Sequence, residues 1–169
     1  CITLNLKSVK NDVIKSYLMT EKKIPDYQAD VCAAFAQGVV GKAIKLASSD
    51  DFNELKESAL SLIKRLDDID LYEMGEAIKQ ISDYKLQVQD YFDLITVWYR
   101  DVLYMKATND VNGLIFKDEV YDIKKQASKH SYHGIEKIIE ALDKAKLRIN
   151  ANVNFDLVIE LLLMTIKEN

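Results

Sequence analysis

Turn-forming residues are scarce in this chain: one proline and five glycines in 169 residues. That scarcity excludes an all-β fold with its many tight turns and favours long helices joined by short connections. Cysteine is equally sparse. Cys1 and Cys32 do not make a disulfide framework, and a reduced, cytoplasmic protein is expected. No signal peptide is evident, and Glu160 interrupts the longest apolar run, so no membrane partner is expected. A surplus of positive charge is also missing. The net charge is −4 with both signs interspersed, which argues against a basic nucleic-acid stripe. The chain opens on Cys and not Met, and reads as a piece of a longer protein.

Apolar residues make up 49% of the chain, enough for a real core. Residues 2–7 alternate apolar and polar and predict one short strand. The rest reads as helices. Residues 8–23 form a helix with Ser8 as cap and Val9, Val13, Leu18 and Met19 as its apolar face. Residues 26–37 form a second, with Ala29, Cys32, Ala33 and Ala36 on one side, and a third runs to Ala47. The polar run Ser48-Ser49-Asp50-Asp51 marks a domain boundary, followed by a capping-box pattern from Asp51 to Glu54. Residues 1–50 carry seven lysines against five carboxylates; residues 51–169 carry sixteen cations against twenty-two. Beyond the boundary lie further helices: a capped one from Asp70, a central one over 87–106, one over 118–128, a stripe from Ile135 to Ala145, and a last one capped by Asn154. The fold class is all-α, with one short N-terminal strand possible.

Chemistry-bearing motifs are few. Gly38 and Gly41 stand three apart, directly before Lys42. A Walker A loop needs four residues between its glycines and a Ser or Thr after the Lys, whereas Ala43 follows here. A nucleotide-clamping GxxG loop needs a surrounding sheet, and these flanks are helical. The remaining reading is structural: Gly38 ends a helix in the left-handed conformation and Gly41 lets the next helix pack close. His130 and His133 lack metal-ligand company and read as the exposed start of a helix. Asp67, Asp68 and Asp70 read as helix-capping acids and not as a cation site. No nucleophile pattern is present. No catalytic residue, metal site or cofactor is expected, and the chain reads as an interaction module. Trp98-Tyr99-Arg100-Asp101 is either a core anchor or an interface element, since Trp and Arg dominate interfaces.

Three segments in order carry a family resemblance: Cys1-Ile2-Thr3-Leu4-Asn5-Leu6, the run "AAFAQGVVGKAIKLA" over 33–47, and the pair "WYRDVLYMK" (98–106) with "INANVNFDLVIELLLMTI" (149–166). Together they resemble the C-terminal part of the delta prime subunits of bacterial DNA polymerase III, members of the clamp-loader family. Cys1 would close that family's Ser-Arg-Cys motif. The resemblance implies that residues 1–49 are the end of an AAA+ module with its three-helix lid, and that residues 50–169 are a helical collar domain for oligomerisation. In related ATP-binding subunits a sensor arginine stands where Gly41 stands here. Gly41, beside Gly38 and Lys42, would thus be a degenerate sensor position, with Lys42 facing solvent. The implied partners are gamma/tau and delta subunits through the collar; the sliding clamp and primer-template DNA are met only by the whole complex. The interface candidates are Tyr99, Tyr104, Leu161, Leu162, Leu163 and Met164, because four consecutive large apolar residues cannot all hide on one side of a helix. The alternatives are a delta or gamma/tau subunit, or a helical scaffold without a role in replication.

Overall fold

The computed structural model describes residues 7–169, all of whose regular elements are helical. The strand expected over 2–7 lies, except for Lys7, outside the described residues. The chain divides into two compact units, Cys1–Phe52 with Ile115–Asp118, and Asn53–Leu114 with Glu119–Asn169.

In the first unit α1 (Asn11–Glu21), α2 (Asp26–Ala36) and α3 (Val40–Ala47) pack on one another. Small side chains make this possible. Ala29, Cys32, Ala33 and Ala36 of α2 and Ala43 of α3 are fully or almost fully buried, with Ile14, Leu18 and Phe35 filling the remaining space. The ring of Phe35 meets Phe52 edge-on at 5.6 Å. Two expectations for α1 are corrected. Its buried face is Ile14 and Leu18, while Val13 and Met19 are exposed. The helix starts at Asn11 without a side-chain cap, not at Ser8. Ser8 instead lies against Gly38, and the Val9 amide donates to the Gly38 carbonyl at 2.9 Å. Lys15 reaches both Asp26 and Asp30 at 2.8 Å, and Asp30 also receives Lys117 at 2.8 Å.

The second unit holds most of α4 (Asp50–Arg65), then α5 (Leu71–Asp83), α6 (Val88–Thr108), α7 (Val120–Lys129), α8 (Tyr132–Asn150) and α9 (Phe155–Glu168). The α4 cap is Ser49, whose hydroxyl accepts the Phe52 amide at 3.2 Å, so a single cap two residues earlier takes the place of the expected box from Asp51. At α5 the capping box is complete: Asp70 accepts from the Glu73 amide and Glu73 from the Asp70 amide. The central helix is α6, with α7 and α8 packed against it and α9 lying against α8 and α5. Trp98, Tyr91, Tyr99 and Phe92 are wholly buried on it. Trp98 donates to the Gln126 side chain at 2.7 Å, and Gln126 donates to the Ile63 carbonyl at 3.0 Å, so one buried amide ties α6, α7 and α4 together.

Candidate subunit interface

The last two helices are positioned by side-chain caps. Ser131 accepts the Gly134 amide at 2.9 Å to start α8, and Asn154 accepts the Leu157 amide at 3.0 Å to start α9. At 100° per residue, Leu161 and Met164 return to one stripe while Leu162 and Leu163 point the other way. The structure follows this geometry. Leu162 and Leu163 are buried, while Leu161 and Met164 are 43% and 42% exposed. Leu157, one turn earlier, is 50% exposed and extends the stripe.

Beside this stripe runs a groove of about 290 Å³ between α8 and α9. Its floor is Ala141, Ala145, Val158 and Leu162; Leu161 and Thr165 line the α9 side. On the α8 side stand Lys137, Glu140, Lys144 and Arg148. Lys144 and Glu140 pair at 2.9 Å, and the hydrogen bond from that ammonium holds the Glu140 carboxyl below its usual range. Lys137 and Arg148 have no carboxylate partner among the described residues. Sequence patterning did not mark these α8 residues, because the groove exists only once α9 lies alongside.

The other interface candidates turn inward. Tyr99 is wholly buried, edge-on to the buried ring of His130 at 5.9 Å. Burial pushes the Tyr99 phenol well up, and the Asp67 charge adds to the shift. The Tyr99 hydroxyl and both His130 ring nitrogens have no hydrogen-bond partner among the described residues. His130 is therefore a core residue, contrary to the expected surface position, while His133 is exposed and pairs with Glu136 at 3.2 Å. Tyr104 is half-buried and turned onto its own loop. Its hydroxyl meets the Asp110 carboxylate at 3.3 Å, and its ring lies where a Cβ on Gly113 would come within 2.3 Å. Asp110 in turn accepts from the Asn112 amide at 2.9 Å, which lowers its carboxyl pKa. Tyr99, Leu162 and Leu163 are thus packed within their own unit, and Leu161 and Met164 remain as outward candidates.

In the glycine loop, Gln37 ends α2 in the left-handed region at φ 49°, and Gly38 follows at φ 87°. A Cβ on Gly38 would come within 2.3 Å of the Ser8 side chain. Gly41 has no such neighbour: nothing lies within 4 Å of its built Cβ, so close helix packing is not its role. Lys42 is exposed. The Asp67, Asp68 and Asp70 carboxylates do not converge, since Asp67 pairs with Lys129 at 2.8 Å while Asp70 caps α5. Among the described residues no cluster of three His, Cys, Asp or Glu is placed to hold a metal ion, and no helix is long and apolar enough to cross a membrane.

A family model described as DNA polymerase III, delta subunit, C terminal, matches residues 51–168. The chain belongs to this family. Across nearly its whole length, 99%, it is also 26% identical to DNA polymerase III subunit delta' of Bacillus subtilis (strain 168). It spans about half of that relative, 51% of its length. No solved structure matches the chain. The family assignment agrees with the resemblance carried by the two C-terminal segments, and with the all-α architecture of the matched residues.

Proposed function

We propose that this chain is the C-terminal, subunit-joining part of a clamp-loader subunit of the delta prime type, acting in DNA replication. Residues 1–49 would be the end of an AAA+ module with its three-helix lid, and residues 50–169 the collar. The collar would assemble with gamma/tau and delta subunits in the cytoplasm. The sliding clamp and primer-template DNA would be met only by the whole complex. The part played here is assembly, not catalysis. The observation that carries this reading is the stripe Leu157, Leu161 and Met164, three large apolar side chains left open in one row on α9 of a family member. A row of large apolar side chains at i, i+4 and i+7 on an outer helix face is what a helix-to-helix interface requires. The degenerate position Gly41 supports a subunit that does not sense nucleotide.

The test is to mix the chain with the full-length gamma/tau subunit of the same genome and measure mass by light scattering after size exclusion. A stable mixed species is expected. Leu161→Asp should weaken it by at least tenfold with the helical circular dichroism unchanged, because a carboxylate would be desolvated at the contact. A chain that stays monomeric beside every loader subunit would remove the assembly role and move the scaffold reading up. A second reading, delta in place of delta prime, is favoured by the description of the matching family model. The coding sequence upstream of Cys1 separates the two: Ser-Arg there favours delta prime.

A further inference from the structure

The groove between α8 and α9 carries charge information as well as apolar area. Lys137 and Arg148 stand at its two ends, both exposed and both without a carboxylate partner among the described residues. Eleven residues separate them on one helix, three turns, or about 16 Å. Between them the Glu140–Lys144 pair neutralises itself. Among the other described cations of the same unit, Lys64, Lys129 and Lys146 are matched to carboxylates, while the exposed Lys124 and Lys125 of α7 are not. Residues 51–169 as a whole carry twenty-two carboxylates against sixteen cations. What sets Lys137 and Arg148 apart is their place: they frame an apolar groove in a unit that is acidic as a whole.

We infer that this groove receives an amphipathic helix of a partner subunit, which seats a large apolar side chain on the Ala141 and Ala145 floor and presents carboxylates about three turns apart to Lys137 and Arg148. The inference rests on the assembly role proposed above and specifies the chemistry of the surface that meets it. The groove's volume, about 290 Å³, is at the bottom of the range of small-molecule pockets and suits protruding side chains better than an enclosed ligand. A two-fold pairing of this face with itself is disfavoured. An isologous contact places the same patch on both sides, and here that would set unpaired cations against one another. A nucleic-acid backbone would match the cations but leave the exposed apolar stripe uncovered.

The experiment compares the chain, Lys137→Glu/Arg148→Glu and Leu161→Asp for binding to the full-length gamma/tau and delta subunits of the same genome, by titration calorimetry at low and high salt. Wild-type affinity should fall as salt rises. The double charge reversal should cost roughly ten- to a hundredfold at low salt and flatten the salt dependence. A compensating Glu→Lys change on the partner helix should restore binding. Full affinity and unchanged salt dependence in the double variant, with Leu161→Asp still defective, would overturn the acidic-partner inference and leave the assembly role standing. Failure of the wild-type chain to bind either subunit would remove both. Loss of labelled duplex DNA binding in the double variant, with subunit binding intact, would assign the cations to phosphate and also overturn the inference.

Discussion

The two units solve the same problem with different materials. The first builds about half of its core from small side chains, Ala29, Cys32, Ala33, Ala36, Ala43 and Ala47, interleaved with Ile14, Leu18, Val31, Phe35, Phe52 and Phe116. The second builds around Trp98, Tyr91, Tyr99 and Phe92 on one long helix. Alanine cores bury little area per residue, so they depend on backbones coming close and on ties at the edges. The Val9–Gly38 hydrogen bond and the Asp26–Lys15–Asp30–Lys117 chain supply such ties. The aromatic core buries more and accommodates three polar atoms without hydrogen-bond partners among the described residues, on Tyr99 and His130. One unit is governed by fit, the other by bulk.

The sharpest way to break that contrast is Trp98→Ala. It opens a large cavity and deprives Gln126 of its donor, and should cost about 4 kcal/mol or more. Urea unfolding followed by hydrogen exchange should report this loss at α6, α7 and α8 amides.

Alkaline pH should separate the units next. Burial pushes the Tyr91 phenol up to about 12, and Tyr99 is raised as well. Both groups hold their protons more tightly folded than unfolded. Their contribution is complete below the ordinary tyrosine range near pH 10 and is lost as pH rises towards 12 and beyond. For Tyr91 alone the loss amounts to about 2–3 kcal/mol. Tyrosines of the first unit, Tyr17 and Tyr27, are exposed, so no phenol of that unit adds to this loss, and its alkaline limb comes instead from Lys15, which, against the pull of burial, Asp26 and Asp30 hold above the usual lysine range. Tyr91→Phe should flatten the alkaline limb of stability measured by circular dichroism.

The smallest expected effect is the most local. Gly38→Ala combines a left-handed φ with a Cβ against Ser8, and should cost roughly 1–3 kcal/mol, read as faster exchange in α1 to α3. Gly41→Ala, three residues on in open space, should be neutral or stabilise by up to about 1 kcal/mol. Equal costs at the two glycines would refute the fit argument.

Much of this architecture is readable from local signals. Helix existence follows from apolar spacing, and the caps Asp70 and Asn154 follow from side chains that serve amides three residues on. What escapes local reading depends on neighbours far away in the chain. Val13 and Ile14 are adjacent and both apolar, and only the placement of α2 and α3 decides that Ile14 goes inside. Tyr104 looks like an interface aromatic until Gly113 and Asp110 come round to meet it. His130 looks like a solvent-facing cap until α7 packs on α6 and encloses it against Tyr99. At the candidate interface the residue types of the 161–164 run are plain, but their division into two buried and two exposed requires the helix phase. The cations of the groove become visible only when α8 and α9 stand side by side.

Ile115–Asp118 gives the first unit a feature of timing. Its packing is not finished by its own contiguous stretch of chain, because Lys117 closes onto Asp30 across a separation of 87 residues. On a ribosome, α1 to α3 would emerge early and wait through the synthesis of α4, α5 and α6 before their last piece arrived. An expression fragment ended at the apparent polar boundary near Ser49 would lack that piece permanently. A fragment begun there would keep Phe116 and Lys117 but lose Asp30. For this chain, a cut near Ser49 parts Asp30 from the lysine that pairs with it.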